Sequence, residues 1–194
     1  MCGIMGYFGD GKELHQRMNM ALFSEISQRG IHAAGYFADG EVVKAPISSS
    51  KLAMAPRTYM DFYGAKVIMG HARFATHGSW LNPLNNHPHQ ADPYILIHNG
   101  VIFTKPAGIH LDSECDSEIL VKVIQRSGGV GRAFNELCGL AGSFAFLCWD
   151  GAALWFARNE GSPGVYVERE GAVFVASTEQ ILKRAAKWAR FNFD

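Results

Sequence analysis

The chain has 194 residues, 48% hydrophobic and 19% charged, with 18 Lys and Arg against 18 Asp and Glu. That length predicts one domain, residues 1–194, able to bury roughly 70% of its extended surface in a core. The balanced charge and the lack of a basic stripe with interleaved aromatics argue against direct binding to nucleic acid or to an acidic membrane surface. The longest apolar runs, such as GLAGSFAFLCW, are strand-length and too short to span a bilayer. The amino end lacks the charged-then-apolar order of a secretory signal. Four cysteines (Cys2, Cys115, Cys138, Cys148) show no CxxC pair, which suits a reducing cytoplasm. Cys138 and Cys148 lie in apolar stretches and read as inert core residues.

Residues 2–8, CGIMGYF, read as a buried strand, with a Gly-rich turn at Gly9–Gly11. Leu14, Met18, Ala21, Leu22 and Ile26 form a helical stripe, predicting a helix over 12–28 closed by Arg29–Gly30. AAGYFADGEVVKA reads as a hairpin about Asp39–Gly40, the kind of dipeptide that favours a primed turn. AKVIMGHARF is a further strand, and it leads into a long loop, HGSWLNPLNNHPHQADP, with no periodicity. PYILIHNGVIF predicts a second hairpin with its tip at Asn99–Gly100. DSECDSEILVKVIQRSGG reads as a helix opening on acidic residues, which the helix dipole favours, and a second helix covers 130–138. Short β runs at 142–149, 152–157, 165–168 and 172–176 precede a helix from about 178. Strands and helices come in blocks, not in βαβ alternation. This predicts an α+β fold with antiparallel sheets and helices packed outside them.

Five stretches carry residues suited to chemistry: MCGI at 1–4, RGIHAAG at 29–35, GHARFATHG at 70–78, HNG at 98–100 and SECDSE at 113–118. Each falls at a strand end or in a loop, where catalytic groups are commonly held. Cys2 is an ordinary small hydrophobe near a terminus, or a nucleophile that carries its own α-amine as base once Met1 is trimmed. A thiol titrates near about 8.5 and an α-amine near about 7.7–8.0, so such a pair works close to neutral pH. The proton would pass through a bridging water, because a side chain does not readily reach its own amine.

Taken together, the five stretches resemble the glutaminase domain of class II glutamine amidotransferases, most closely that of glucosamine-6-phosphate synthase. The resemblance covers essentially the whole chain and implies a four-layer αββα N-terminal-nucleophile sandwich, with antiparallel sheets. It implies hydrolysis of the L-glutamine side-chain amide through a γ-glutamyl thioester on Cys2, with Asn99 and Gly100 as the oxyanion hole. Arg73, Thr76 and His77 would hold the glutamine α-carboxylate, a task suited to the guanidinium fork. Asp116 would bind the α-ammonium, although Asp112, Glu114 and Glu118 compete for that role. Arg29 would lie near the nucleophile and Phe74 would serve as the aromatic lid. The family needs no cofactor or metal, and its ammonia goes to a synthase site, here expected on a separate subunit. A homo-oligomer is compatible with this reading.

Departures from the family pattern are His32 in place of an acid, Phe74 where a tryptophan is common, and Cys115 where a threonine precedes Asp116. The alternatives are a free-standing γ-glutamyl amide hydrolase, and a non-catalytic module that senses glutamine or scaffolds a partner. A metal hydrolase built on His71, His77, His87, His89, His98, Cys115 and Asp116 is a further rival. It is disfavoured by the absence of zinc-type spacing, although His87-x-His89 in a strand would put both rings on one face.

Overall fold

The computed structural model describes residues 1–193. Two antiparallel sheets stack face to face. The first takes β1 (Gly3–Phe8), β2 (Ala33–Ala38), β3 (Glu41–Ala45), β4 (Val67–Arg73), β9 (Val165–Arg169) and β10 (Ala172–Ala176), in the order β3-β2-β4-β1-β10-β9. The second takes β5 (His89–Ala91), β6 (Tyr94–Ile102), β7 (Gly142–Trp149) and β8 (Leu154–Arg158), in that order. Helices α1 (Glu13–Glu25), α2 (Ser49–Ala53), α3 (Pro56–Phe62) and α6 (Glu179–Ala189) cover the first sheet. Helices α4 (Glu118–Ser127) and α5 (Val130–Cys138) cover the second. The expected αββα sandwich is the fold observed.

Strand alternation generates three cores. Met5 and Tyr7 of β1, Ile68 and Ala72 of β4, and Phe174 of β10 face the helices over the first sheet. Their neighbours Ile4, Val67, Met69 and Val175 face the second sheet and meet Ile97, Ala145 and Leu147 there. Leu96, Phe144 and Phe146 turn to the other side, under α4 and α5. Under the first helical layer, Phe23, Tyr36 and Phe62 pack edge to face with centroids 5.1–5.7 Å apart. Such pairs add about 0.5–1.5 kcal/mol each beyond their burial.

Several expectations are corrected. Asn99–Gly100 is not a hairpin tip but lies inside the nine-residue strand β6. Its register with β7 runs unbroken from Ile95↔Trp149 to Ile102↔Gly142. The dipeptide signal is local, whereas the partner strand that wins lies some forty residues on and offers a full apolar face. Gly100 holds φ +149°, and a Cβ there would stand 1.9 Å from the Ser143 carbonyl oxygen. The glycine is therefore required by close strand approach instead of by a turn.

The long loop after β4 contains a 3₁₀ turn at Pro83–Asn85 and strand β5. Helix α4 begins at Glu118 with Ser117 as its N-cap, so Glu118 is the acid in its first turn and residues 112–116 form the loop before it. The Glu118 carboxylate folds back to accept the N–H groups of Asp112 and Ser113. Helix α1 ends at Glu25 and tightens into a 3₁₀ turn over Ile26–Arg29. Cys138 is exposed, while Cys148 is buried as expected. Helices α2 and α3 answer to no periodicity; they are marked by Ser48 as N-cap and Pro56 at the first turn. Among the described residues, no helix is long and apolar enough to cross a membrane.

His15 is fully buried in the first core, bonded through Nδ1 to the Tyr7 hydroxyl at 3.0 Å. Burial holds its imidazole below the ordinary value, against the opposing pull of Asp10. A histidine neutral when folded but protonated when unfolded adds stability above its unfolded value of about 6.5 and loses it as pH falls below that point. The thermal midpoint is expected to drop between about pH 7 and pH 5, and His15→Gln to flatten that slope. Equal slopes for the two proteins would contradict the assignment. Gly100→Ala is expected to cost at least about 1–3 kcal/mol from the disallowed backbone alone, lowering Tm by about 2–4 °C for each kcal/mol. A variant that melts like the parent would show that β6 relaxes freely.

Candidate active site

Alternation decides which residues can meet. Cys2 precedes β1 and shares the phase of Ile4, so it lies on the face turned toward the second sheet. Arg73 shares the phase of Val67 and Met69 on β4, and Asn99 that of Ile97 on β6. All three therefore open onto the space between the sheets. A single buried hydrogen bond joins the sheets nearby, from His71 Nε2 to the His98 carbonyl at 3.0 Å. Burial keeps the His71 imidazole neutral, its pKa pushed to about 3 against the opposing pull of that hydrogen bond.

Cys2 is pinned by what surrounds it. Ser177 Oγ accepts the Ile4 N–H at 2.8 Å and so fixes the start of β1. Arg29 Nε donates to the Cys2 carbonyl at 2.8 Å, which places Arg29 behind the nucleophile position. The thiol lies 3.4 Å from the Phe74 N–H and 3.7 Å from the Phe74 carbonyl oxygen. Burial raises its pKa, opposed by that Phe74 hydrogen bond, and Arg73 is close enough to pull it down. Met1 is 74% exposed, and its sulfur touches Arg29 Nη2 at 3.5 Å.

Arg73 is only 3% exposed, so it is not a solvated strand end. Its guanidinium donates to Asn86 Oδ1 at 2.9 Å and to the carbonyls of His77 and Gly78. Asn86 Nδ2 in turn donates to the Trp80 carbonyl at 2.8 Å. Asn85 Nδ2 bonds the Ser79 carbonyl and Glu114 Oε2, and its Oδ1 accepts the Glu114 N–H. The 74–80 loop thus hangs on three buried polar side chains. Asn85, Asn86 and Ser177 were not singled out from the sequence; the adjacent asparagines in a Pro-rich loop are the one signal that could have marked the first two. Thr76 and His77 are exposed on the loop, and the structure gives their side chains no bond to Arg73.

His32, the residue that replaces the family acid, also supports this loop. Its Nδ1 accepts the Ala75 N–H at 2.9 Å, and its ring packs on Phe74 with centroids 5.0 Å apart. Phe74 itself is 45% exposed.

The second sheet contributes donors and a carboxylate. Asn99 is 2% exposed, and its Nδ2 is buried with no hydrogen-bond partner. Phe144, opposite Gly100, spends its N–H and C=O on Asn159. The Gly100–Phe144 pair is therefore a non-hydrogen-bonded one, and the Gly100 N–H points to the edge of β6 away from β7. Strand β5 pairs only with residues 94–96, so that edge is open at Gly100. Two residues along the same edge, the Ile102 N–H is taken by Asp116 Oδ2 at 2.6 Å. The competing acids are occupied elsewhere: Asp112 by Lys122, Glu114 by Asn85 and Glu118 by the 112–113 backbone. Of the four, Asp116 alone lies along the open edge.

No family model matches the chain. It is 34% identical over 192 residues to the glutamine–fructose-6-phosphate aminotransferase (isomerizing) of Bacillus spizizenii, covering 82% of this chain and 29% of that protein. The enzyme of the same name from Shouchella clausii is 32% identical over 170 residues, covering 77% of this chain and 27% of that protein. The chain thus spans less than a third of the length of these curated relatives. The solved structure of glutamine phosphoribosylpyrophosphate amidotransferase from B. subtilis, with ADP and GMP, superposes with a TM-score of 0.75 at 21% identity. It covers 95% of this chain and 44% of that one, a likeness of fold. With the ordered motifs, the sandwich and these relatives in agreement, the chain belongs to the class II, N-terminal-nucleophile glutamine amidotransferases and carries their glutaminase domain.

Proposed function

We propose that this chain, once Met1 is removed, hydrolyses the side-chain amide of L-glutamine and delivers the ammonia to an acceptor site outside residues 1–194, on a synthase partner. The observation that carries the reading is the buried, unpartnered Asn99 Nδ2 on the sheet face shared with Cys2 and Arg73. An amide donor left without a partner costs about 1–3 kcal/mol, a cost offset when an oxyanion forms against it.

The Cys2 thiol gives its proton through water to the freed α-amine, and Sγ attacks the glutamine Cδ. The developing oxyanion takes hydrogen bonds from Asn99 Nδ2 and the Gly100 N–H on the open edge of β6. Each such donor supplies about 2.7–4 kcal/mol of barrier lowering. Collapse breaks the C–N bond, and the proton held by the amine leaves with the nitrogen as ammonia. Water then attacks the thioester, releasing glutamate and restoring the thiol. Arg73 faces the substrate carboxylate while it holds the 74–80 loop, with Thr76 and His77 on that loop able to close over it. Asp116 has one oxygen on the Ile102 N–H, and its other oxygen serves the α-ammonium. Arg29 orients the Cys2 carbonyl, and Phe74 covers the thiol. Four free cysteines suit a cytoplasmic setting.

Intact mass before and after incubation with 6-diazo-5-oxo-norleucine tests the centre of this reading. A chain lacking Met1, with one adduct mapped to Cys2, is expected. Cys2→Ala should take up no reagent and lose glutamine hydrolysis; substantial remaining activity would remove Cys2 as nucleophile. Arg73→Lys keeps a charge but loses the fork, and should raise KM for glutamine about tenfold or more, the scale of a lost charged hydrogen bond. An unchanged KM would assign the carboxylate to another group.

A further inference from the structure

Outside the catalytic constellation, three potential metal ligands converge: His87, His89 and Cys115, all buried, with ligand atoms that all lie within 4.8 Å of one another. They come from separated segments. His87 sits just before β5, His89 begins it, and Cys115 lies in the loop before α4. The two imidazoles meet edge to face with centroids 4.5 Å apart. Both ring nitrogens of His87, and Nε2 of His89, are buried without a hydrogen-bond partner.

A neutral imidazole always carries one N–H and one lone pair, so a buried histidine with neither used is unusual. His87 is such a ring, and beside it stand a second imidazole with Nε2 unpaired and a thiol, all with ligand atoms within 4.8 Å of one another, an arrangement that calls for an occupant. The surrounding packing leaves little freedom to avoid it. His71 stacks on His87 at 3.8 Å between centroids, and the backbone of β2 at Gly35 closes on the His87 carbonyl. Cys115 Sγ lies 4.0 Å from Asp116 Oδ1 and also interacts with Ser117.

We infer that His87, His89 and Cys115 bind one borderline-soft transition-metal ion, Zn²⁺ in the first instance. Two imidazole nitrogens and a thiolate match the donor preference of zinc, and three protein ligands leave a fourth position open. In a tetrahedral site with Zn–N of about 2.0–2.1 Å and Zn–S of about 2.3 Å, the ligand atoms stand about 3.3–3.6 Å apart. The ligand atoms now lie within 4.8 Å of one another, so they close by about an ångström on binding. Two cations bear on this corner, Lys44 of β3 on both imidazoles and on Cys115, and Arg73 on His89 and Cys115. Both oppose a dication, and the partly buried Lys44 must turn toward solvent as the metal binds. The ion would tie the segment that holds Arg73 through Asn86 to the segment that carries Asp116. It would act as a structural clamp at the edge of the glutamine pocket, independent of the hydrolytic reading.

The test uses the full chain, stripped by chelator and titrated with Co²⁺ as a spectroscopic stand-in. One equivalent is expected to bind, with a thiolate-to-cobalt charge-transfer band and strong tetrahedral ligand-field absorption, both displaced by Zn²⁺, together with a raised Tm. Cys115→Thr should abolish the charge-transfer band while leaving the circular dichroism unchanged, and Cys2→Ser should keep the band. His89→Gln should weaken binding by about 10–100-fold or more, at least the loss seen when a supporting group of a metal site is removed. Lys44→Met should tighten it. No saturable binding, or a band that survives Cys115→Thr, would overturn the proposal and leave buried water as the partner of both rings. If Cys115→Thr fails to fold, His89→Gln and Lys44→Met decide: a binding constant unmoved in both equally overturns it.

Discussion

Everything in this molecule depends on how closely the two sheets meet. A Cβ at Gly6 on β1 would stand 2.5 Å from a Leu147 methyl of β7, so the strands touch there with no side chain between them on one side. Around that point Ile4, Met69, Val175, Ile97 and Leu147 interdigitate as a thin apolar layer. Beyond its edge, the same two faces carry polar residues in the same phase: Cys2, His71, Arg73 and Asn99. A one-residue slip of β1 or β4 would send those groups under the helices. The apolar layer therefore both stabilises the sandwich and sets the register of the chemistry.

Polar ties complete what the sheets begin. The 74–80 loop has almost no apolar anchor of its own, and residues such as Phe74, Trp80 and Leu81 are largely exposed. It is held by Arg73, Asn85, Asn86 and His32, each bonding its backbone or the segment that carries it. Loops of this kind sit at the low end of local stability. His32, at a family position that carries an acid, supports the loop by accepting the Ala75 N–H and packing on Phe74 and Trp80.

The elements legible in the sequence were those whose signal is local. The apolar run of β1, the stripe of α1, the Asp39–Gly40 hairpin and the terminal helix all stand close to where periodicity and turn chemistry put them. Asn99–Gly100 failed for a physical reason: the same dipeptide suits a primed turn or a glycine-relaxed strand, and only a partner forty residues away chooses between them. The acidic run 112–116 failed similarly, since acids favoured at a helix start are equally stable when they cap a loop against Asn85 and Lys122. The partners of Asp112, Glu114, Asp116 and Glu118, and the place of Asp116 on the open edge of β6, depend on long-range contacts that the local run does not encode.

The sequence by itself determined the chemistry available: a thiol beside the amino end, an arginine ending a strand, an Asn-Gly pair, and five ordered motifs that name a family. Side-chain type and order along the chain are enough for that, because the functional groups a chain can offer are fixed by its residues. Only the tertiary structure decided that Arg73 is buried and holds a loop, that the Asn99 amide is left unpaired, and that His87, His89 and Cys115 share one buried corner. These outcomes depend on which faces two sheets present to each other, and that is settled by long-range strand pairing and packing that no local stretch encodes.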